Sequence, residues 1–364
     1  MLGYFPDPYP DELFYSICAR FAEAMHYSSK HSVILELFGN IHPATIEFPL
    51  GLDYLAASLP SDDCYSADSL IEEHTLLPFY GPFLSPERLL ILRKTMHGNN
   101  GIAMSRRFRF TGSSIRPLGH LRLCPQCVIE DRGRFGEAYW HRVHQIPVVL
   151  VCPIHAEALG ETAIVAPPWN RERYTFFSAE EALRLQSLPG HGVQSPWKQI
   201  LLAIAQDAAW LLKQRGLAPG YQMLHQYHQH LFVVRGLASR TGQKHLTTLL
   251  ALFRERYPDA LLHQLGCPLD SDHPGRLITL FHGLQTWQHP LHHLLLMHLL
   301  DSRAEAFFQG AASCPPFGES PWPCLNAASD HYRQHVVEEC QITPRVCSEL
   351  FLIDWGHGKK TVPQ

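Results

Sequence analysis

The spacing of apolar residues predicts helices through most of this chain. From Asp11 to Ala24, Leu13, Phe14, Ile17, Cys18 and Phe21 fall on one helical stripe. Ser32 to Phe38 repeats such a face until Gly39 stops it, and Leu52 to Leu59 and Ala67 to Leu77 give two more short amphipathic helices. Ser85-Pro86-Glu87 reads as an N-cap with proline at the first helical position, opening a helix to about Met96. Later come Trp197 to Gln214, Tyr221 to Leu231, Lys244 to Tyr257 and the apolar run Pro290 to Leu300. Strand signals are few. Ser105 to Phe110 alternates Arg107 and Arg109 with Phe108 and Phe110, and Leu121/Leu123 and Val148 to Val151 read as short strands. The pattern predicts a mainly α fold.

Loop-rich stretches at Ala166-Pro167-Pro168-Trp169-Asn170 and Ser187 to Pro196 place a domain boundary near residue 165, dividing the chain into 1–165 and 166–364. In the second part, Tyr221 to Leu231, the turn at Gly236-Leu237 and Lys244 to Tyr257 follow in the order of a helix-turn-helix. An ordinary helical hairpin fits equally well, because Arg240, Lys244, Arg254 and Arg256 are offset by Glu255 and Asp259.

Charge changes the picture more than composition does. The 364 residues are 46% hydrophobic, enough for a sizeable core, and the net charge is only −4. Residues 1–87, however, hold two basic and thirteen acidic side chains, whereas 88–122 holds eight basic ones and no Asp or Glu. The acidic part is a helical bundle whose carboxylates form either a solvated face or a docking surface for a basic partner. The basic segment includes Arg106, Arg107, Arg109, Arg116 and Arg122. Clustered guanidinium forks suit DNA phosphates, and pairing with the acidic bundle is the plainer alternative. Met1 to Pro10 has neither a basic n-region nor an apolar run, and His298 interrupts the longest apolar stretch, so a cytoplasmic protein without a membrane span is expected.

The ten cysteines then point to metal ligands and buried thiols. Within 121–159, Cys124-Pro125-Gln126-Cys127 and Cys152-Pro153-Ile154-His155 form two knuckles with ligands three apart and 24 residues between them. That spacing suits one tetrahedral Zn2+ held by Cys124, Cys127, Cys152 and His155. Three thiolates and an imidazole close the site, so the metal is expected to be structural, in a ribbon-like module with few large apolar residues of its own. His141 and His144, three apart on the segment Tyr139 to Gln145, are rival ligands ranked as packing residues. Cys324, His331, Cys340 and Cys347 are irregularly spaced for a second site, and His289, His292 and His293 suit core and cap roles. The tail Gly356-His357-Gly358-Lys359-Lys360-Thr361 lacks the spacing of a phosphate loop, and no nucleophile elbow, HExxH helix or dinucleotide fingerprint occurs. No enzyme is expected.

The run Gly136-Glu137-Ala138-Tyr139-Trp140-His141-Arg142-Val143-His144-Gln145-Ile146-Pro147 feeding into Cys152-Pro153-Ile154-His155 resembles the zinc-binding signature of the TniQ/TnsD family of transposon target-site-selection proteins. Pro8 to Leu13 with Ser16 and Arg20, and His74-Thr75-Leu76-Leu77-Pro78, also resemble that family's N-terminal part. Trp287 with His289 to Leu296, Pro321 to Asn326 and Asp330-His331-Tyr332 are similar to the TnsD-type C-terminal region, although members of that branch usually continue further. The resemblance implies a TniQ-like first domain with an embedded zinc finger and a helical TnsD-like second one. It implies an adaptor that binds double-stranded DNA and recruits an AAA+ ATPase of the TnsC type that activates a transposase, and the charge pattern makes Arg106, Arg107, Arg109, Arg116, Arg122 and Lys244 the candidate DNA contacts. Glu72 and Glu73, beside His74-Thr75, are the candidate ATPase contacts. Docking on an RNA-guided CRISPR complex is the alternative within the family, and a zinc-dependent nucleic-acid hydrolase the alternative from another class.

Overall fold

The computed structural model describes residues 2–27, 29–41, 44–59, 65–98, 115, 117–167, 174–185, 196–239, 243–268, 288–313, 321–324, 326 and 328–338. They belong to two compact units, 1–309 and 310–364. The larger unit is mainly helical around one hydrophobic core that includes Leu13, Phe14, Ile17, Trp140, Leu211, Leu294 and Phe307.

Its first helices follow the apolar stripes. Helix α1 (Phe14–Met25) buries Phe14, Ile17, Cys18 and Phe21. Helix α2 (Lys30–Phe38) ends at Gly39, whose φ of 65° is left-handed. A Cβ there would meet the Tyr54 ring at 2.6 Å, so the glycine serves both the turn and the close approach of α3 (Leu52–Ser58). Helix α4 (Ala67–His74) opens with a Ser66/Ser69 capping box and stops earlier than the apolar pattern suggests. The break at Thr75 is local: its hydroxyl donates to Ile71 O at 2.6 Å and accepts from Leu77 N at 3.2 Å. A second short helix, α5 (Leu77–Tyr80), then begins. Helix α6 (Pro86–His97) has the expected cap, with Ser85 Oγ accepting from Arg88 N at 3.3 Å.

Strand β1 (His120–Leu123) pairs antiparallel with β2 (Gly160–Val165), Leu123 opposite Gly160. Two expectations are corrected here. Val148 to Val151 is no strand, because Val149 N is used in a turn to Ile146 O (3.0 Å), and only Val151 bridges to Ala158. The Cys124 knuckle is not a ribbon turn but the start of helix α7 (Pro125–Phe135), and of Tyr139 to Gln145 only Val143–Gln145 turns, as a 3-10 helix.

Helix α8 (Ala179–Leu185) packs on β2, and α9 (Lys198–Leu212) packs against α5 and later against α13 (Pro290–Leu299). Between them lie α10 (Gly220–Val234), α11 (Leu246–Arg256) and α12 (Asp259–Gln264). The connection from α10 to α11 is longer than the three- or four-residue turn of a compact helix-turn-helix. Helix α14 (Ala304–Ser313) follows. In the smaller unit, β3 (Trp322–Pro323) and β4 (His335–Val337) form an antiparallel pair. No helix among the described residues is long and apolar enough to cross a membrane.

Candidate metal centre and the motif network around it

Cys124 is the N-cap of α7 and Pro125 occupies its first turn, where a missing N–H has no partner to lose. The turn closes with Val128 N donating to Cys124 O (3.1 Å) and brings Cys127 beside Cys124. The second knuckle sits at the tip of a hairpin: Leu159 N donates to Leu150 O (3.0 Å) and Cys152 N to Glu157 O (2.7 Å). Ala156, at a left-handed φ of 54°, donates to Cys152 O (2.9 Å) and turns the chain back.

The two knuckles converge. The ligand atoms of Cys124, Cys127, Cys152 and His155 all lie within 4.8 Å of one another, the one such group among the described residues. His155 Nδ1 stands 3.5, 3.4 and 3.6 Å from the sulfurs of Cys124, Cys127 and Cys152, and the Cys127 and Cys152 sulfurs are 3.7 Å apart. A tetrahedron with metal–sulfur bonds of about 2.3 Å and a metal–nitrogen bond of about 2.0 Å has edges of about 3.8 and 3.5 Å. These residues therefore fit a tetrahedral ion, and a protein ligand takes every corner.

Ligands must be deprotonated, so binding an ion there would release protons from these side chains. Burial works against a charged His155, but hydrogen bonds with Cys124, Cys152 and Glu130 raise it to about 9. Hydrogen bonds from Cys124 and Cys127 hold the Cys152 thiol well below its ordinary range, while hydrogen bonds with Cys124 and Cys152 push the Cys127 thiol well above it, so the two share one proton. The outward Nε2 of His155 lies 3.0 Å from Glu130 Oε1, so a carboxylate orients the imidazole. Glu130 was missed in the sequence. Its signal is its position three residues after Cys127 on the same helix, which puts it on the knuckle's face.

The remaining motif residues build a scaffold rather than ligate. Leu13 N donates to Trp140 O and Arg142 N to Asp11 O, both at 2.8 Å, so the N-terminal motif and the run after α7 pair as extended chains. Trp140 N donates to Ser16 Oγ (3.1 Å) and its indole N–H to Phe177 O (2.8 Å). His141 Nε2 lies 2.9 Å from Asp131 Oδ2 and its ring stacks on Tyr139, which anchors α7. His144 is buried, and desolvation lowers it to about 3. Gln145 takes Arg122 N on its Oε1 (3.0 Å) and gives to Arg122 O (2.8 Å), clamping β1. Arg20 binds Glu12 (3.0 Å) and Glu137 (2.8 Å), and His74 Nδ1 lies 2.8 Å from Glu12 O.

The expected DNA contacts are placed unevenly. Arg106, Arg107, Arg109 and Arg116 lie outside the described residues. Arg122 is buried, with its guanidinium turned inward to Ile146 O at 2.5 Å and burial lowering it to about 10. Lys244 is half-buried, its ammonium 5.3 Å from the Phe232 ring centre, and burial lowers it to about 8. Glu72 pairs with Arg93, and Glu73 with Arg215 at 2.9 Å. Both glutamates line an open cleft of about 520 Å³ with Tyr9, Asp11, His74, Arg142 and Arg215. Cys324 is buried beside Ser329, while Cys340 and Cys347 lie outside the described residues.

A helical core with one Cys3His cluster fit for a metal, locked through Trp140 and Arg142 to an N-terminal Pro-Asp-Glu-Leu turn and through Gln145 to β1, defines a class of helical knuckle protein. Residues 3–159 match the family described as TniQ, and residues 204–348 the one described as Tn7-like transposition protein D. The chain is 29% identical over 271 residues, 73% of its length, to the transposon Tn7 transposition protein TnsD of Escherichia coli. The match spans about half (51%) of that relative's length. Both halves of the chain are thus similar to TniQ/TnsD family proteins.

Proposed function

We propose that the protein is a target-site-selection adaptor of a transposon, which binds double-stranded DNA and recruits an AAA+ ATPase of the TnsC type that in turn activates the transposase. The observation that carries this reading is the likeness to transposition proteins in both halves of the chain, 3–159 and 204–348. Zn2+ is the proposed ion, because three thiolates and an imidazole at these separations suit it. With all four corners taken by protein, the ion holds structure rather than activating water, which disfavours the hydrolase reading. The protein's part is recognition and recruitment, with no bond broken.

Residues 1–165 and 166–364 are the proposed functional divisions, the first meeting the ATPase and contacting DNA phosphates through its basic segment, the second reading the target. Arg106, Arg107, Arg109, Arg116 and Lys244 are the proposed DNA contacts. Arg122 is left out of that set, since its guanidinium is buried and turned inward to Ile146 O. The test is duplex binding to the host attachment region against a scrambled duplex, over a salt series. Wild type should prefer the attachment region. Replacing Arg106, Arg107 and Arg109 with Ala should weaken binding to both and flatten the salt slope by about 0.9 per lost contact. Equal affinity for both duplexes, or no binding, overturns the reading.

The acidic cleft wall is the proposed ATPase contact. Glu72→Lys/Glu73→Lys should reduce capture of the ATPase while leaving duplex affinity unchanged or slightly improved. The same change also breaks the pairs to Arg93 and Arg215, so Arg93→Ala/Arg215→Ala is the control that breaks them without reversing charge. Equal capture by wild type and both variants would return these glutamates to a solvated face.

A further inference from the structure

Asp301 stands just beyond α13 with a φ of 51°, a left-handed conformation that among residues other than glycine suits Asn and Asp. Its carboxylate is gripped from two helices. Oδ2 accepts from Arg235 at the end of α10 (2.7 Å) and Oδ1 from Arg256 at the end of α11 (3.0 Å). All three side chains are open to solvent, 56% exposed for Asp301 and 43% for each arginine. Exposed ion pairs add little to stability, so folding alone gives slight reason for this convergence.

A third guanidinium lies alongside. Arg303 donates through Nε to both oxygens of buried Asp207 (2.9 and 3.1 Å), and His298 Nε2 reaches the same carboxylate at 2.5 Å. Arg256, Arg303, His298 and Asp301 line one pocket of about 420 Å³ with Tyr257 and Ile200. Three arginines thus face one exposed carboxylate and one buried carboxylate that His298 already engages. Glu255 and Glu305 follow close in sequence and hold the net charge down, so this patch provides one or two contacts rather than a whole footprint.

The arrangement has a specific chemical reading. A carboxylate that offers one oxygen to each of two guanidinium forks occupies the position that two non-bridging oxygens of a phosphate would take. We propose that the pocket lined by Arg256 and Arg303, with Arg235 joined to it through Asp301, is a phosphate site for the backbone of duplex DNA, with Asp301 as an internal stand-in that the phosphate displaces. This rests on the DNA-binding part of the proposed function. It adds a contact surface on 198–303 that is separate from the basic segment 88–122.

Two variants that break the same ion pairs should move binding in opposite directions. Asp301→Asn keeps a residue that tolerates the left-handed turn and frees both guanidiniums, so duplex affinity at low salt should rise by about threefold or more. Arg235→Gln/Arg256→Gln should lower it and flatten the salt slope by about 0.9 per lost contact. Arg303 is left intact, because its loss would strip buried Asp207 of a partner. A purely structural cluster would make both variants weaken binding alike or leave it unchanged, and either result overturns the proposal. If wild type binds duplex and the variants do not diverge, this site fails while the adaptor reading stands. If wild type binds no duplex, both fail. A competition arm with ATP and with inorganic phosphate identifies the source of the phosphate. Were ATP binding, and not duplex binding, to respond to the substitutions, the backbone assignment would be wrong.

Discussion

Arg142 reaches across 131 residues of sequence to Asp11, its Nε donating to Oδ1 at 3.1 Å. The same buried guanidinium donates to the carbonyls of Glu72 (2.9 Å), Thr75 (3.2 Å) and Leu212 (3.3 Å). One side chain therefore ties the N-terminal motif, the end of α4 and the end of α9 to the segment beside the metal centre. Arg142→Met would orphan those carbonyls and leave Asp11 without its cation. The expected loss is about 3–5 kcal/mol, read from urea unfolding. Arg142→Lys should recover little of it, since an ammonium cannot reproduce the planar fork. Full stability in either variant would show that the carbonyls find other donors.

Glu130 makes the second prediction. Its carboxylate fixes the tautomer and orientation of His155, and removing such an outer partner typically weakens metal binding about 10–100-fold. Glu130→Gln should show that loss in a chelator competition. Ile129→Ala, an exposed change on the same helix, should not. Equal metal affinity in the two variants would mean that the hairpin alone orients the imidazole.

Metal removal should loosen less than the sequence suggests. The knuckle segment reads as poor in apolar residues, yet Trp140, Val143, Ile146, Val148, Val149 and Val151 are all buried in the main core. Among the described residues of the segment, the three cysteines form a separate small cluster, with Leu159 against it. Chelation, or Cys124→Ser/Cys152→Ser, should therefore raise hydrogen exchange in 124–135 and 150–159 and lower the melting temperature, while protection in α1 and α9 persists. Global loss of protection on chelation would place the metal at the root of the whole fold.

These corrections share a physical cause. The helices and their caps were legible because apolar period, Ser-Pro and Gly39 are local signals. The four ligands were legible because knuckle spacing is local too. Cys124-Pro125 carries the same start signal as Ser85-Pro86, and Gly136 marks the stop at a φ of 86°, so α7 could have been read where a ribbon was expected. Arg122 could not. Alternation in β1 puts it opposite Leu121 and Leu123, on what looks like a solvent face, and only the fold reveals that Gln145 and the Ile146 carbonyl cover that face. The partners of Asp11 and Arg142 lie 67 to 132 residues away, and no periodicity encodes them.

Acid should expose the last feature. His228 of α10 is buried against Phe307, with ring centres 4.5 Å apart, and beside His293 at 6.0 Å. Desolvation lowers it to about 3, with the Leu224 carbonyl opposing and His225 and Lys244 reinforcing the shift. Neither ring nitrogen completes a hydrogen bond, so the folded state holds the ring neutral. In the unfolded chain the same imidazole titrates near its ordinary value of about 6.5. A folded pKa below the unfolded one gives stability that is whole above pH 6.5 and is lost as the pH falls toward 3, because the unfolded state binds the proton first. At pH 5 this one residue accounts for about 2 kcal/mol. His293, also held well below its ordinary range by burial, steepens the fall. His228→Phe keeps an aromatic ring against Phe307 and removes the titration. Its unfolding free energy between pH 7 and 5 should change with about one proton less than wild type, a comparison that cancels any acid release of metal common to both. Identical slopes would mean that His228 is protonated in the folded protein and that its nitrogens have partners in solution.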